Sequence, residues 1–382
     1  MQLKMILKKI RFRWVVWAVL WIGIEWTRFH PAAGEWYART VYPFISRGLS
    51  SFSRLFPFSI GDCFIYGSVA GLVIYLLYAW IKRKKGWGTL RFAAEYLAWV
   101  YVWFYLAWGL NYFRQDFFTR TGVSPVPYSP ERFESFLEAY TDSLNASYVP
   151  LENIDTFSVA ATVEEGYDRL SSRIGLLRPG RRKGRPTDRN RPAGDSVVSL
   201  RFRAKPMLFS SWMSGVGVMG YVGPFFNEFN LNADLLPAQY PAVYAHELSH
   251  VLGISSEAEA NLYSYLVCTS SDLPEVRFSG YFSLFPYVLG NAYRILDAEA
   301  FEAWKAKLRP EIKELYNRKN AYWQARYSPW IGKMQDAAYN LFLKGNRISS
   351  GTANYSEVIE LVIAWNATAE NFVGRSAALL SN

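Results

Sequence analysis

The chain has 382 residues, a length that permits two or three folded units. Aromatic residues make up 18% of the chain and include 15 Trp, a content that is high for a soluble enzyme and typical of membrane spans with interfacial aromatic residues. The net charge of +10 does not indicate nucleic-acid binding, because much of it lies in short basic clusters beside apolar segments. No disulfide is predicted from the two cysteines, Cys63 and Cys268, which we expect in different units.

Three apolar segments predict transmembrane helices at about residues 14–29, 60–81 and 92–113. The second and third have the length of about 20 apolar residues that a spanning helix requires. The first segment is shorter and contains Glu25. We therefore expect a membrane region with three transmembrane helices at residues 1–113 and a second unit at residues 114–382.

Basic residues flank these apolar segments and predict their orientation. They are Lys8, Lys9, Arg11 and Arg13 before the first segment, Lys82, Arg83, Lys84 and Lys85 after the second, and Arg91 before the third. Because cytoplasmic loops are enriched in Lys and Arg, the N-terminus is expected in the cytoplasm and the unit 114–382 outside it. A cleaved signal peptide is the alternative for the first segment, with a cleavage region at 32–34. The residues that approach this region, including Trp26 and Arg28, are untypical of such a site.

The unit 114–382 is predicted to be mostly helical with a small sheet, an α+β class. Helices are expected at 129–144 and 158–174, and from Glu257 almost to the end of the chain. Strands are expected at 196–202, extended through 205–211, and at 226–233. A glycine-rich run at 215–223 separates the two strand regions.

Between these elements lies a stretch rich in Arg, Pro and Gly at about residues 178–195. Its composition predicts an exposed, disordered loop. A solvated insertion is one interpretation, and docking to anionic lipid or to a cell-wall polymer is the other.

The motif that carries chemistry is His246-Glu247-Leu248-Ser249-His250, which contains two of the three histidines of the chain. Residues four apart lie on one face of a helix, so His246 and His250 can both point at one Zn²⁺. Glu247 is then placed to take a proton from a water on the metal. The flanking residues are uncharged, as expected for a buried metal-binding helix.

The residues after this motif predict a turn and a second helix. Gly253 is placed where the end of a helix needs a residue that tolerates positive φ. Ser255 or Ser256 offers an N-cap for a helix that opens at Glu257. Such a turn can fold Glu257 back onto the metal as a third ligand. Glu259 is the alternative ligand, but two residues on one helix point about 200° apart, so only one of the two can face the metal.

The sequence HELSH followed by Glu257-x-x-Ala260-Asn261 resembles the gluzincin class of zinc peptidases. The resemblance implies Glu257 as the third metal ligand and a zincin-like fold. In that class an Asp one turn later hydrogen-bonds a zinc-binding His, whereas this chain has Asn261, whose neutral oxygen should make the imidazole a weaker base. The interval from His250 to Glu257 is also shorter than in many gluzincins.

Over nearly its full length the chain is similar to a bacterial family of membrane-anchored, gluzincin-like proteins. The shared blocks are the 246–261 region, 57–62, 108–112 and a late segment at Tyr355-Ser356. The resemblance implies a multi-pass protein of the bacterial inner membrane that carries a zinc peptidase-like unit in the periplasm or outside the cell, without a known substrate. The oligomeric state is not predicted.

The activity expected from these residues is hydrolysis of a peptide or envelope-protein substrate, with Zn²⁺ as cofactor and Glu247 as general base. A residue that stabilises the oxyanion is also required, and Tyr355 is the candidate, with Tyr287, Tyr293 and Arg294 as alternatives. Strand 226–233 is expected to border the cleft and to pair with an extended peptide, or to be ordinary sheet. The alternative function is a non-catalytic zinc-binding protein or an envelope scaffold or sensor.

Overall fold

The computed structural model describes residues 2–84, 86–170, 202–329 and 357–368, with residues 2–11 described by their backbone only. Its helices are α1 (Gln2–Arg28), α2 (Pro31–Trp36), α3 (Tyr42–Ser53), α4 (Ile60–Ile81), α5 (Gly86–Ala107), α6 (Phe117–Thr121), α7 (Pro130–Ser147), α8 (Thr156–Leu170), α9 (Ser210–Ser214), α10 (Tyr240–Val251), α11 (Glu257–Thr269), α12 (Pro274–Ile295), α13 (Ala298–Lys307), α14 (Pro310–Gln324) and α15 (357–368). Its strands are β1 (Ala204–Pro206), β2 (Gly220–Gly223) and β3 (Glu228–Leu231). The predicted class, mostly helical with a small sheet, is therefore confirmed.

Two predicted helices of the second unit are found where local signals place them. The helix α7 begins at Pro130, with the Ser129 side chain accepting a hydrogen bond from the backbone of Arg132, and it runs to Ser147. The helix α8 begins two residues earlier than predicted, at Thr156. Its predicted end at 174, the basic loop at 178–195 and most of the strand at 196–202 lie outside the described residues.

The three strands form one sheet in the order β1-β3-β2. Strand β1 pairs with β3 in parallel, and β2 pairs with β3 in antiparallel orientation. The prediction of a strand through 205–211 is wrong beyond Pro206, because the chain turns into the short helix α9 at Ser210. The strand predicted at 226–233 is shorter, Glu228–Leu231, because Asn227 adopts a positive φ of 48° and forms a turn before it.

Among the residues that the structure describes, one helix is long and apolar enough to cross a membrane, and it is α4. Its bounds, Ile60–Ile81, are those predicted for the second apolar segment, and almost none of it is buried. The other two predicted segments also fall in long helices, α1 and α5, but neither reaches the required hydropathy. Of the three expected transmembrane helices, one therefore has the length and the composition that a membrane span requires.

Charged residues inside α1 and α5 lower their hydropathy, and several of these residues have partners. Glu25 of α1 accepts a hydrogen bond from the Tyr101 hydroxyl at 2.9 Å. Arg13 of α1 lies 3.5 Å from Glu95 of α5. The indole of Trp17 donates to the backbone oxygen of Ala98 at 2.9 Å. Helices α1 and α5 therefore pack against each other through polar as well as apolar contacts.

A buried ion pair ties the sheet to the start of α4. Lys205 of β1 and Glu228 of β3 form a salt bridge, and both side chains are almost completely buried. The Lys205 ammonium also donates to the backbone oxygen of Ser53 at 2.7 Å. Glu228 accepts from the Ser59 hydroxyl at 2.8 Å and from the Gly61 backbone at 2.5 Å. This pair thus fixes the sheet against the chain that leads into α4.

Replacing Lys205 with Met should destabilise the fold, because Glu228 would remain buried as an unpaired charge. Breaking a buried pair by removing one partner costs about 3–5 kcal/mol. The double variant Lys205→Met with Glu228→Gln should recover part of that loss, since no charge remains buried. The measurement is thermal unfolding of the purified full chain in detergent.

The control is Lys305→Met, which removes an ammonium from an exposed pair with Glu302 and should change the unfolding temperature little. Equal unfolding temperatures for Lys205→Met and the wild type would contradict a stabilising role of the buried pair.

Candidate metal centre

The helix α10 carries the HELSH residues, and its sequence explains its position. Pro241 lies in its first turn, where a missing N–H group costs nothing. The helix is buried along most of its length, including Tyr244, Leu248 and Val251. Because α10 is held on these apolar sides, His246 and His250 project together from one face into a cleft.

The turn after α10 has the predicted geometry. Gly253 has a φ of 90°, a value that favours glycine. A Cβ atom at this position would also lie 3.0 Å from the Asn111 side-chain oxygen. Of the two predicted N-cap candidates, Ser256 is the one used, since its side chain accepts a hydrogen bond from the backbone of Glu259. The helix α11 therefore begins at Glu257, directly opposite the two histidines.

Three potential ligand atoms converge at this point. Atoms of His246, His250 and Glu257 that could each coordinate a metal ion lie within 4.8 Å of one another. The Glu257 Oε2 atom lies 3.2 Å from His246 Nε2 and 3.8 Å from His250 Nε2. The structure thus brings together the three residues that the sequence analysis selected.

The other ring nitrogen of each histidine has a fixed oxygen partner. His246 Nδ1 lies 2.9 Å from the side-chain oxygen of Asn261, and His250 Nδ1 lies 2.7 Å from the backbone oxygen of Ile254. The Asn261 amide nitrogen donates to the Tyr287 hydroxyl at 3.2 Å, which orients the amide oxygen toward His246. In the neutral form of each imidazole, Nδ1 donates the proton and Nε2 presents a lone pair to the space between the histidines.

Glu259, the alternative ligand, faces away from this space. Its carboxylate pairs with the buried guanidinium of Arg120 and accepts a hydrogen bond from the Tyr263 hydroxyl at 3.3 Å. The helical periodicity of α11 explains the difference, because residues two apart point to nearly opposite sides. Glu259 therefore stabilises the packing of α11 against the segment that contains Arg120.

Glu247 is buried beside the cleft, and its Oε2 atom has no hydrogen-bond partner among the described residues. A buried polar atom of this kind usually indicates a role other than packing. Gly220 of β2 makes room for the carboxylate, because a Cβ atom there would lie 2.4 Å from Glu247 Oε1. Gly220 was not selected by sequence analysis, although it belongs to the glycine-rich run at 215–223.

The electrostatics of the cluster favour a positive charge between the ligands. Burial raises the pKa of the Glu247 carboxyl above its usual value. The imidazoles of His246 and His250 oppose this shift, and the Glu257 carboxylate adds to it. Burial lowers the pKa of His250, but the neighbouring carboxylates, chiefly Glu257, outweigh that effect and raise the pKa to about 9. Two carboxylates beside two imidazoles thus favour positive charge at this point.

The cluster opens into a cleft of about 1330 Å³. Its lining is mainly apolar and comes from α5, the segment 212–224, α10, α11, α12, α14 and α15. Lys319 of α14 also lines the cleft, with its ammonium 4.6 Å from the centre of the Tyr316 ring. Burial lowers the pKa of Lys319 to about 8. Lys319 and Tyr112 are cleft residues that the sequence analysis did not select, because they come from segments distant in the chain from α10.

The candidate residues for oxyanion stabilisation have different positions. Tyr355 lies outside the described residues. Tyr287 lines the cleft and contacts Asn261, whereas Tyr293 is largely exposed to solvent. Arg294 donates a hydrogen bond to Asn291 at 2.7 Å. Of these alternatives, Tyr287 therefore lies next to the three candidate metal ligands. We call His246, His250 and Glu257 the metal-ligand cluster.

The C-terminal end of α10 is held by residues from the first third of the chain. The Trp108 indole donates to the His250 backbone oxygen at 2.8 Å. The Tyr42 hydroxyl donates to the Val251 oxygen at 2.6 Å, and Arg114 donates to the Gly253 oxygen at 3.0 Å. Of these three donors, the sequence analysis singled out Trp108, within the block at 108–112.

Comparison with known proteins places the chain in a family. A family model described as "Protein of unknown function (DUF3810)" matches residues 37–363. The chain therefore belongs to this family. No curated protein and no solved structure matches it. The matched region contains the metal-ligand cluster and also α4, α5 and the residues that hold the end of α10.

The different contacts of Glu257 and Glu259 predict different effects of removing each charge. Glu257→Gln should lose bound metal, because a neutral amide is a much weaker ligand than a carboxylate. Glu259→Gln should retain metal and unfold at a lower temperature, because Arg120 loses its buried partner at a cost of about 3–5 kcal/mol.

Metal analysis and thermal unfolding of the purified full chain provide both measurements. Loss of metal in Glu259→Gln with metal retained in Glu257→Gln would reverse the assignment of the third ligand.

Proposed function

We propose that this protein is a membrane-anchored zinc metallopeptidase that hydrolyses peptide bonds outside the cytoplasm. The observation that supports it is the convergence of two imidazole nitrogens and the Glu257 carboxylate beside Glu247, a buried carboxylate with an unpartnered oxygen. This combination is the one that hydrolytic zinc sites require: three protein ligands and a nearby base.

The donor set fits zinc in its chemistry. His246 and His250 offer nitrogen ligands with fixed tautomers, and Glu257 offers an oxygen ligand. Structural zinc sites usually fill all four positions with Cys and His, whereas three ligands of this kind leave a position open. Zinc bound by these residues would act as a Lewis acid that polarises a carbonyl group and acidifies water.

The remaining chemistry belongs to the side chains of the chain. Glu247 accepts the proton of the attacking water and then delivers it to the amine that leaves. Its raised pKa suits this cycle, since a base is most effective when its pKa lies near the working pH. Asn261, oriented by Tyr287, holds the His246 ring in place. Tyr355 remains our predicted oxyanion-stabilising residue.

The apolar cleft is suited to binding a polypeptide beside these groups. Strand β2 lines the cleft next to Glu247, with Tyr221 and Val222 among the lining residues. Among the described residues β2 pairs with β3 on one edge only, so an extended peptide could pair with its other edge. This assigns peptide pairing to β2 instead of the predicted strand at 226–233, because β3 lies in the middle of the sheet.

We also propose that α1 and α5 cross the membrane together with α4. Glu25 is paired with Arg28 and Tyr101, and Arg13 with Glu95, which reduces the cost of placing these charges in lipid. The basic clusters before α1 and between α4 and α5 orient the bundle with residue 81 inside and residue 60 outside. The unit with the metal-ligand cluster then lies in the periplasm or outside the cell.

Replacing Glu247 with Gln tests the catalytic proposal, because an amide cannot take a proton from water at neutral pH. The variant should keep about one zinc ion per chain and lose all hydrolysis of a mixed peptide library. His246→Ala should lose both zinc and hydrolysis, since it removes a ligand. If Glu247→Gln restores the phenotype of a deletion strain as well as the wild type does, while His246→Ala fails, the site has a structural role and the chain is a zinc-binding scaffold or sensor.

Reporter fusions test the orientation. Alkaline phosphatase, which is active only outside the cytoplasm, should be active when fused after residue 329 and inactive when fused after Lys84. A green fluorescent protein should give the opposite pattern at the same two positions. Phosphatase activity at Lys84 would contradict the proposed orientation.

A further inference from the structure

Helix α3 is amphipathic with its polar side turned inward. Its buried face carries Ser46, Ser50 and Ser53 and, in the first turn, Tyr42, whose hydroxyl donates to the Val251 oxygen. Its exposed side carries Phe44, which is 71% exposed, and Phe52. Leu55, in the turn that follows, is 74% exposed. A helix at a water-facing surface has the opposite arrangement, with its apolar residues inside.

The buried serines form hydrogen bonds with Asn227, and these bonds fix the orientation of α3. The Asn227 side chain donates hydrogen bonds to the hydroxyls of Ser46 and Ser50, the latter at 3.1 Å. The Ser50 hydroxyl donates to the Asn227 backbone oxygen at 2.8 Å. Rotating α3 to bury its phenylalanines would break all of these bonds.

A second exposed apolar group lies on the other side of α4. It consists of Leu208, Phe209 and Trp212, and Trp212 is 75% exposed. The Phe209 ring lies 5.0 Å from the ring of Tyr66, which is in the second turn of α4. The backbone of Leu208 donates to the Asp62 carboxylate at 3.1 Å. This group is therefore attached to the same end of α4 as the chain that follows α3.

Aromatic contacts also attach the first group to that end of α4. Phe52 lies 6.3 Å from Phe226, and Phe226 lies 5.8 Å from Phe64 of α4, measured between ring centres. We call the residues Phe44, Phe52, Leu55, Leu208, Phe209 and Trp212 the apolar belt. The belt lies at the end of α4 near residue 60, which is the outer end in the orientation proposed above.

We propose that the apolar belt is immersed in the outer leaflet of the membrane that α4 crosses. Three observations select lipid as its occupant: the inverted polarity of α3, the continuity with α4, and the exposed Arg47, whose guanidinium lies 5.9 Å from the centre of the Phe44 ring. A basic group beside aromatic rings is suited to the headgroup region, where anionic lipids attract it. Immersion removes these exposed apolar side chains from water.

Trp212 belongs to the belt and also lines the cleft with the metal-ligand cluster. The cleft therefore opens at the membrane surface. Resting on the proposed function, this position restricts substrates to polypeptides that are tethered to the same membrane, by a lipid anchor or by a transmembrane helix.

Spin labels test the immersion independently of catalysis. Single cysteines replace Leu55, Trp212 and, as a control, the exposed Glu302 of α13, in a chain whose exposed Cys63 is replaced by Ser. The first two side chains point outward, so their replacement leaves the packing intact. The labelled protein is reconstituted in nanodiscs that each contain one protein molecule. Labels at Leu55 and Trp212 should collide often with oxygen, which dissolves in lipid, and rarely with a water-soluble nickel chelate. The label at Glu302 should collide freely with the chelate.

Two results would overturn the immersion. Free access of the chelate at Leu55 and Trp212 would place the belt in water. Protection from both oxygen and chelate would place it against protein, such as a second copy.

Labelling of new protein N-termini in cells tests the substrate class. Termini present with the wild type and absent with Glu247→Gln should belong to membrane-tethered proteins. Glu247-dependent termini in soluble proteins would overturn the substrate class and retain the peptidase, whereas no dependent termini in either class would overturn the peptidase itself.

Discussion

The metal-ligand cluster depends on how the carbonyl groups at the end of α10 are satisfied. The last carbonyls of a helix have no partner within the helix and must find donors elsewhere. Here Trp108, Tyr42 and Arg114 donate to the oxygens of His250, Val251 and Gly253. These three bonds fix the end of α10, and with it the direction of the His250 ring and the course of the turn that brings Glu257 back. Glu35 in turn holds Arg114 through a bidentate ion pair, so the turn is connected to α2.

A neutral residue, Asn261, holds His246 where gluzincins have an aspartate. An amide oxygen accepts the Nδ1 proton as an aspartate would, but it adds no charge. An amide can also rotate by about 180° and present its NH₂ donor to His246 in place of its oxygen. The Tyr287 hydroxyl removes that ambiguity by accepting from the amide nitrogen. The pair Asn261 and Tyr287 thus provides orientation without a third negative charge near Glu247 and Glu257.

Local spacing predicted the parts of this molecule that are close in sequence. The four-residue repeat of a helix placed His246 and His250 together, and the need for positive φ identified Gly253. The two-residue separation of Glu257 and Glu259 showed that only one could face the histidines. The apolar run 60–81 gave the bounds of α4 because length and hydropathy alone determine such a segment.

Contacts between distant segments escaped prediction for a physical reason. No periodicity relates Arg120 to Glu259 or Lys205 to Glu228, since these pairs form only when the whole chain has folded. The same holds for Gly220, whose missing side chain matters only because Glu247 lies against it. The inverted polarity of α3 was likewise hidden, because an amphipathic pattern does not indicate which face is turned inward.

The bonds at the end of α10 also decide where the chain can be divided. Cutting before residue 114 looks natural on hydropathy, since it removes every apolar segment. Such a fragment would leave the oxygens of His250 and Val251 without the Trp108 and Tyr42 donors and expose the floor of the cleft. The residues before 114 therefore act as part of the scaffold of the metal-ligand cluster. A shortened form of the protein has to retain Tyr42 and Trp108 for the end of α10 to keep these donors.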